Sequence, residues 1–173
     1  MAGLAVSGGG IAGLAAALAA SRAGHDVTLF TGTAAPALQG GVQIAPNGWA
    51  ALDSLGLGEV ARARSNRLHD ITVRALDSGS TLIRLPLHEP YASFERRALG
   101  EVISDAVDAI GRLDRRAVDI THIHQTESGV TLVTSDGDSH QCDGLVAADG
   151  GKAVSYTHLR AHETGRNRGW RGR

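Results

Sequence analysis
The chain has 173 residues, 42% of them apolar, with a net charge of −1, which suits one ordinary soluble domain with a core of its own. Its single cysteine, Cys142, excludes an internal disulfide and a cysteine-based zinc site, so any redox chemistry has to come from a cofactor. No apolar run approaches the roughly 20 residues of a membrane span and no secretory leader is evident, so the expectation is a cytoplasmic protein without stable membrane insertion.

From the N-terminus, the apolar run Leu4-Ala5-Val6 meets Gly8-Gly9-Gly10-Ile11-Ala12-Gly13 and then an alanine-rich stretch over residues 14–20. This reads as strand, glycine turn and helix. In that setting Gly8 allows the tight turn, Gly10 lets the backbone approach a pyrophosphate, and Gly13 lets the helix lie close to the strand. The helix N-terminus supplies unpaired N–H groups to the anion. A glycine-rich turn also serves ordinary tight loops, and the context decides between the two. Gly24 stops the helix and Asp26-Val27-Thr28-Leu29-Phe30 follows as a second strand, completing a β-α-β unit. One part of the pattern is absent. Phe30-Thr31-Gly32 stands where an acidic residue usually binds the adenosine ribose hydroxyls, so Thr31 offers one weaker hydrogen bond or none.

A small, polar loop over residues 31–41 contains Pro36 and ends in two glycines. Gly40-Gly41-Val42-Gln43-Ile44 leads into a helix opened by Pro46-Asn47 and carried by Trp49, Leu52 and Leu55, and a short helical patch covers residues 59–64. Alternating runs at 71–76 and 81–85, separated by Asp77-Ser78-Gly79, predict a β-hairpin. Leu99, Val102, Ile103, Ala106 and Ile110 recur with helical period, predicting an amphipathic helix over 96–110. Residues 118–124 and 130–134 alternate around Glu127-Ser128-Gly129, and after the Asp136-Gly137 turn an apolar strand spans 142–148 and runs into Asp149-Gly150-Gly151. His122 and His124 share one strand face, but nothing in the pattern supplies a third ligand, so no metal is expected. The clusters Arg62, Arg64, Arg67 and Arg112, Arg115, Arg116 read as solvated helix ends.

The last twenty residues differ in kind. Residues 154–173 hold 5 arginines against Glu163, leaving 12 basic and 17 acidic residues in the remainder. A basic tail often marks nucleic-acid binding, but here Val154-Ser155-Tyr156-Thr157-His158-Leu159-Arg160-Ala161-His162-Glu163-Thr164 resembles a translated transposase-type sequencing adapter. The expectation is therefore that the natural frame is lost near Ala153. Residues 154–173 are then a non-native, disordered tail with no nucleic-acid partner, and His158 and His162 are not metal ligands.

Three blocks, in order, resemble the class A flavoprotein monooxygenases, the aromatic-ring hydroxylases that include salicylate, hydroxybenzoate and ubiquinone-pathway enzymes. They are the turn at residues 8–13, the segment Gly40-Gly41-Val42-Gln43-Ile44-Ala45-Pro46-Asn47-Gly48, and Asp143-Gly144-Leu145-Val146-Ala147-Ala148-Asp149-Gly150. The resemblance implies an α/β fold: a Rossmann-like FAD-binding domain of the GR2 type, with a parallel sheet and a crossover β-meander. That domain would be incomplete in residues 1–153, with the beginning of a substrate-domain sheet at about 70–90. It implies FAD as cofactor, NAD(P)H as reductant, O2 as co-substrate and a small phenolic substrate, hydroxylated through a flavin hydroperoxide that the protein shields from water.

By position, the resemblance assigns Gly8, Gly10 and Gly13 to the FAD pyrophosphate, with Ile11 and Ala12 as cofactor-binding residues beside them. Thr31, Gly41, Gly150 and Asp149 are further cofactor contacts, with Asp149 serving both FAD and NAD(P)H. Arg96 falls at the arginine of the family's H-R-x-x-L motif, although Glu95 and Ala98 replace its histidine and aspartate. No catalytic residue is named by the sequence, nor any oligomeric state. Because family members are much longer, no hydroxylase activity is expected of the chain as it stands. Two other readings stay open: a different FAD-linked oxidoreductase of the prenyl reductase or halogenase type, and a truncated product that binds nothing.

Overall fold
The computed structural model of the chain describes residues 1–34, 39–111 and 113–150. Pro36, Arg112, Gly151 and the arginine-rich stretch 154–173 therefore lie outside the described residues.

The first strand, β1 (Gly3–Ser7), and the second, β2 (Asp26–Phe30), flank the helix α1 (Ile11–Arg22) in sequence and pair in parallel, Val6 opposite Leu29. Strand alternation sorts their side chains. Val6, Val27 and Leu29 face α1, whereas Ala5 and Phe30 face the other way. Two further strands complete an all-parallel sheet: β6 (Asp114–Arg116) beside β2, and β10 (Gly144–Ala147) on the far side of β1, in the order β10-β1-β2-β6.

A parallel sheet has to be covered on both faces, and here one cover is helical. The buried stripe Gly13, Leu14, Ala17, Leu18 of α1 packs on Leu99, Val102, Ile103 and Val107 of α4 (Arg96–Asp108), the amphipathic helix expected from its period. The small residues of α1 let it lie close to the strands. The opposite face carries an antiparallel meander, β7 (Ile120–Thr126), β8 (Gly129–Thr134) and β9 (Ser139–Cys142), whose Ile120, Val130 and Leu132 close over Ala5 and Phe30. Helices, parallel sheet and meander thus form the layers expected of the fold.

A second sheet, ordered β3-β5-β4, joins β3 (Gly41–Ile44), β5 (Thr81–Glu95) and β4 (Asn66–Arg74) in antiparallel fashion. Between β3 and β4 run the helices α2 (Pro46–Ser54) and α3 (Gly58–Ala63). At its inner end Ala92 and Phe94 join the main core. Its outer end is a two-stranded ribbon with two unlike faces. Ile71 pairs with Leu85 and Val73 with Ile83, and these four apolar side chains stand 42–52% exposed on one face. The other face carries Thr72 and the Asp70–Arg84 ion pair at 2.6 Å.

The expected hairpin is thus present but longer at both ends, and three expectations need correction. The predicted strand over 142–148 is two strands, because Cys142 pairs with Val130 in the meander while Gly144 pairs with Leu4 in the parallel sheet. Asp143 makes the step between them: its N–H donates to the Gly3 carbonyl at 2.8 Å and its carboxylate accepts the Gly3 N–H at 2.7 Å. Arg115 and Arg116 lie on β6, not at a helix end, and Arg67 lies on β4; Arg62 sits in the last turn of α3 and Arg64 caps it. Arg62 also stacks 4.8 Å from the Trp49 ring while pairing with Asp53 at 2.7 Å. Finally, residues 41–44 are a strand as well as a lead into α2. No helix among the described residues is long and apolar enough to cross a membrane.

Candidate functional site
The chain leaves β1 for β2 on one side and returns to β10 on the other, so the crevice at the C-terminal ends of β1 and β10 is a topological switch point, where α/β sheets bind ligands. The glycine turn sits in it. Gly8 has a φ of +113°, its N–H donates to the Phe30 carbonyl at 2.8 Å, and a Cβ there would lie 2.2 Å from the Ala148 carbonyl oxygen. A Cβ on Gly13 would lie 1.8 Å from the carbonyl oxygen of Gly8, and one on Gly9 would lie 2.9 Å from Cβ of Thr31. These three glycines are demanded by the protein's own packing.

Gly10 differs. It is the N-cap of α1, with φ −79° and ψ 179°, and a Cβ built on it meets no atom within 4 Å. Glycine here is not required by conformation or neighbours, so it keeps a space open. The first intrahelical bond runs from the Leu14 N–H to the Gly10 carbonyl at 2.9 Å, which leaves the N–H groups of Ile11, Ala12 and Gly13 without helical acceptors. No acidic side chain occupies the first turn and no side chain caps it. An exposed helix N-terminus with open space before it has the geometry that suits an anion such as a phosphate.

Beside the turn opens a cleft of about 420 Å³ between the end of β2 and α4, lined by Gly9, Thr31, Arg97, Glu101, Ser104 and Arg115 among others. Its charged wall is cross-linked. Glu101 accepts hydrogen bonds from Arg97 on Oε1 and from Arg64 on Oε2, each at 2.7 Å, while Arg115 reaches Ser104 at 3.0 Å and Asp108 at 3.2 Å. The hydrogen bond from Arg64, with the charges of Arg97 and Arg64, holds the Glu101 carboxyl below its ordinary range, so it is ionised at neutral pH.

The structure brings Gly8, Gly10, Ile11, Ala12, Gly13, Thr31 and Asp149 to one end of the sheet. The backbone N–H of Thr31 is taken by the Arg116 carbonyl at 2.9 Å, and its hydroxyl makes contacts of 3.4 Å with the Gly32 and Arg116 carbonyls. Asp149 follows Ala148, whose N–H donates to the Ser7 carbonyl at 2.8 Å, and its nitrogen lies against Gly8; Gly150 turns the chain with φ +78°. Gly41 and Arg96 are outside the cleft lining, at the β3–α4 junction, where the Arg96 N–H donates to the Gly40 carbonyl at 2.9 Å. The Arg96 guanidinium is exposed and has no hydrogen bond or ion pair among the described residues.

Sequence reasoning missed Arg97, Glu101, Ser104 and Arg115. The first three recur at helical spacing opposite the apolar stripe of α4, a legible signal; Arg115 sits on a strand too short and charged to be read. His122 and His124 are exposed on β7, and no group of three or more His, Cys, Asp or Glu among the described residues is placed to hold a metal.

No family model matches the chain. Among curated proteins it is 33% identical over 161 residues to 3-hydroxybenzoate 6-hydroxylase of Polaromonas naphthalenivorans (strain CJ2), covering 86% of this chain and 40% of that protein. It is 34% identical over 169 residues to 3-amino-4-hydroxybenzoate 2-monooxygenase PtmB3 of Streptomyces platensis, covering 90% and 41%. The chain thus spans about 40% of the length of the curated relatives it matches. Among solved structures, p-nitrophenol 4-monooxygenase PnpA from Pseudomonas putida DLL-E4 superposes with a TM-score of 0.79 at 22% identity, covering 89% of this chain and 43% of that one. Klebsiella pneumoniae HpxO, complexed with FAD and uric acid, does so with 0.78 at 24%, covering 88% and 40%. These likenesses establish the fold.

Proposed function
From a chain homologous to the N-terminal part of class A FAD-dependent aromatic monooxygenases, we propose that residues 1–153 form the FAD seat of an NAD(P)H-dependent hydroxylase acting on a small phenolic compound in the cytoplasm. The observation that carries this reading is Gly10. Its neighbours Gly8 and Gly13 serve internal packing, whereas its own missing side chain leaves clear the approach to the N-terminus of α1.

In this reading the N–H groups of Ile11, Ala12 and Gly13 bind the pyrophosphate, and the helix dipole of α1 offsets its charge. Thr31 and the Arg97–Glu101 wall flank the adenosine side, while Asp149 and Gly150 approach the crevice from the end of β10. The unpaired Arg96 guanidinium, held at the start of α4 by its own N–H bond to Gly40, and Gly41 beside it serve the flavin side. When bound and reduced by NAD(P)H, the flavin supplies transfer of an oxygen atom from O2 to an electron-rich ring. The apolar face of the β4–β5 ribbon, about residues 70–90, begins the surface that shields the substrate from water. Residues 154–173 take no part.

The test is a titration of the chain with FAD, followed by flavin fluorescence and by absorbance. Saturable binding at one site supports the reading. A folded chain that leaves FAD fluorescence unchanged overturns it.

A further inference from the structure
We propose that Glu101 replaces the acid absent from the end of β2, accepting hydrogen bonds from the adenosine ribose hydroxyls of the bound dinucleotide. This inference rests on the flavin reading and goes beyond it by assigning the ribose to a residue on α4. A ribose attached to a pyrophosphate at the glycine turn meets the cleft directly, because Gly9 and Thr31 abut at its mouth, a Cβ on Gly9 falling 2.9 Å from that of Thr31. Thr31 is a weak partner there, its hydroxyl already directed at the Gly32 and Arg116 carbonyls. Ribose hydroxyls seek a charged acceptor, and among the described cleft-lining residues Glu101 is the one carboxylate.

Its orientation is fixed from two sides. Arg97 holds Oε1 and Arg64 holds Oε2, each at 2.7 Å, which leaves a further lone pair on each oxygen. Gly100, just before it and also in the lining, has no side chain to crowd the cleft. A second carboxylate comes near the end of β2 but lies outside the cleft lining: Asp119 accepts the Thr33 hydroxyl on Oδ2 at 2.5 Å and the Thr33 N–H on Oδ1 at 3.3 Å, which turns it toward the loop after β2. Asp119 ties down the loop after β2, and Glu101 faces the ligand.

The experiment compares ADP with 2′,3′-dideoxy-ADP by calorimetry on the full 173-residue chain, with FAD titrated in parallel. The wild-type chain is expected to prefer ADP by about tenfold, the range of a hydrogen bond to a charged group. Glu101→Ala is expected to abolish that preference with no more than a small drop in the thermal melt, since its ion pairs with Arg64 and Arg97 are half-exposed, and adding Thr31→Glu is expected to return it. A purely structural role for Glu101 would weaken both nucleotides alike. A Glu101→Ala variant that keeps the preference, or an Asp119→Asn variant that loses it, overturns the assignment. Wild-type chain that binds FAD without distinguishing the two nucleotides overturns this inference alone; chain that binds neither FAD nor ADP overturns the flavin reading and this one with it.

Discussion
A Cβ on Gly13 would stand 1.8 Å from the carbonyl oxygen of Gly8, so the first turn of α1 and the end of β1 meet in one contact that admits no side chain. Gly8 in turn is pressed against Ala148, which ties the first β-α unit to the last described strand. The glycine fingerprint is therefore mostly a packing device, with one member, Gly10, whose missing side chain meets only open space.

Gly13→Ala is expected to destabilise the fold by about 3 kcal/mol or more, because the obstructing atom is backbone and cannot rotate away. Gly10→Ala is expected to change stability by no more than about 0.5 kcal/mol, since its φ suits any residue and its Cβ meets open space. It should nevertheless weaken FAD by at least about tenfold by filling the phosphate approach. Denaturant melts and FAD titrations on the two variants separate the roles.

Stability should fall in two stages on acidification. Burial between the meander and the parallel sheet, where His140 of β9 meets the Phe30 ring of β2 edge-on at 5.4 Å, with the charge of Arg116, lowers the His140 pKa. The unfolded chain thus takes up that proton first, and stability is lost as pH drops below about 6.5. Asp53, Asp70, Glu101 and Asp136 are held low chiefly by hydrogen bonds from Arg62, Arg84, Arg64 and Thr134 respectively, so their contribution, small because solvent screens these groups, is present above the ordinary carboxylate range and is lost as pH falls below that range through their lowered values. Denaturant midpoints measured from pH 8 to 3 check this, and His140→Gln should remove the first stage while keeping the second.

The β4–β5 ribbon should make the isolated chain self-associate. Ile71, Val73, Ile83 and Leu85 form one continuous apolar face, and β4 is an edge strand. Sedimentation at rising concentration should show oligomers, and Ile83→Lys with Leu85→Lys should shift the association by about tenfold or more. Strictly monomeric wild-type chain would show that this face needs no cover.

Residues 154–173 should be dispensable. A chain ending at Ala153 is expected to bind FAD as tightly as the 173-residue chain. Affinity that drops severalfold on truncation would assign the basic stretch a role in the site.

Much of this was legible in the sequence because a few residue types admit few conformations. Glycines at 8, 10 and 13 between an apolar run and an alanine-rich helix, Pro46 at a helix start, and alternation around Asp77-Ser78-Gly79 all point one way. What stayed hidden depended on tertiary partners. β6 is three charged residues that become a strand by pairing with β2, and residues 142–148 read as one apolar run although Asp143 hands the chain from one sheet to another. The cleft wall was only half legible: Arg97, Glu101 and Ser104 recur on one face of α4, but Arg64 caps α3 and Arg115 lies on β6, and no local pattern announces that α4 faces the end of β2.

The central claim is that this chain holds FAD at the N-terminus of α1, and titration of FAD into wild-type chain and Gly10→Ala, with circular dichroism on the same samples, tests it most directly. Saturable quenching of flavin fluorescence by the wild type and its loss in an equally folded Gly10→Ala variant is the predicted result. Equal binding by both, or none by a folded wild type, would contradict it.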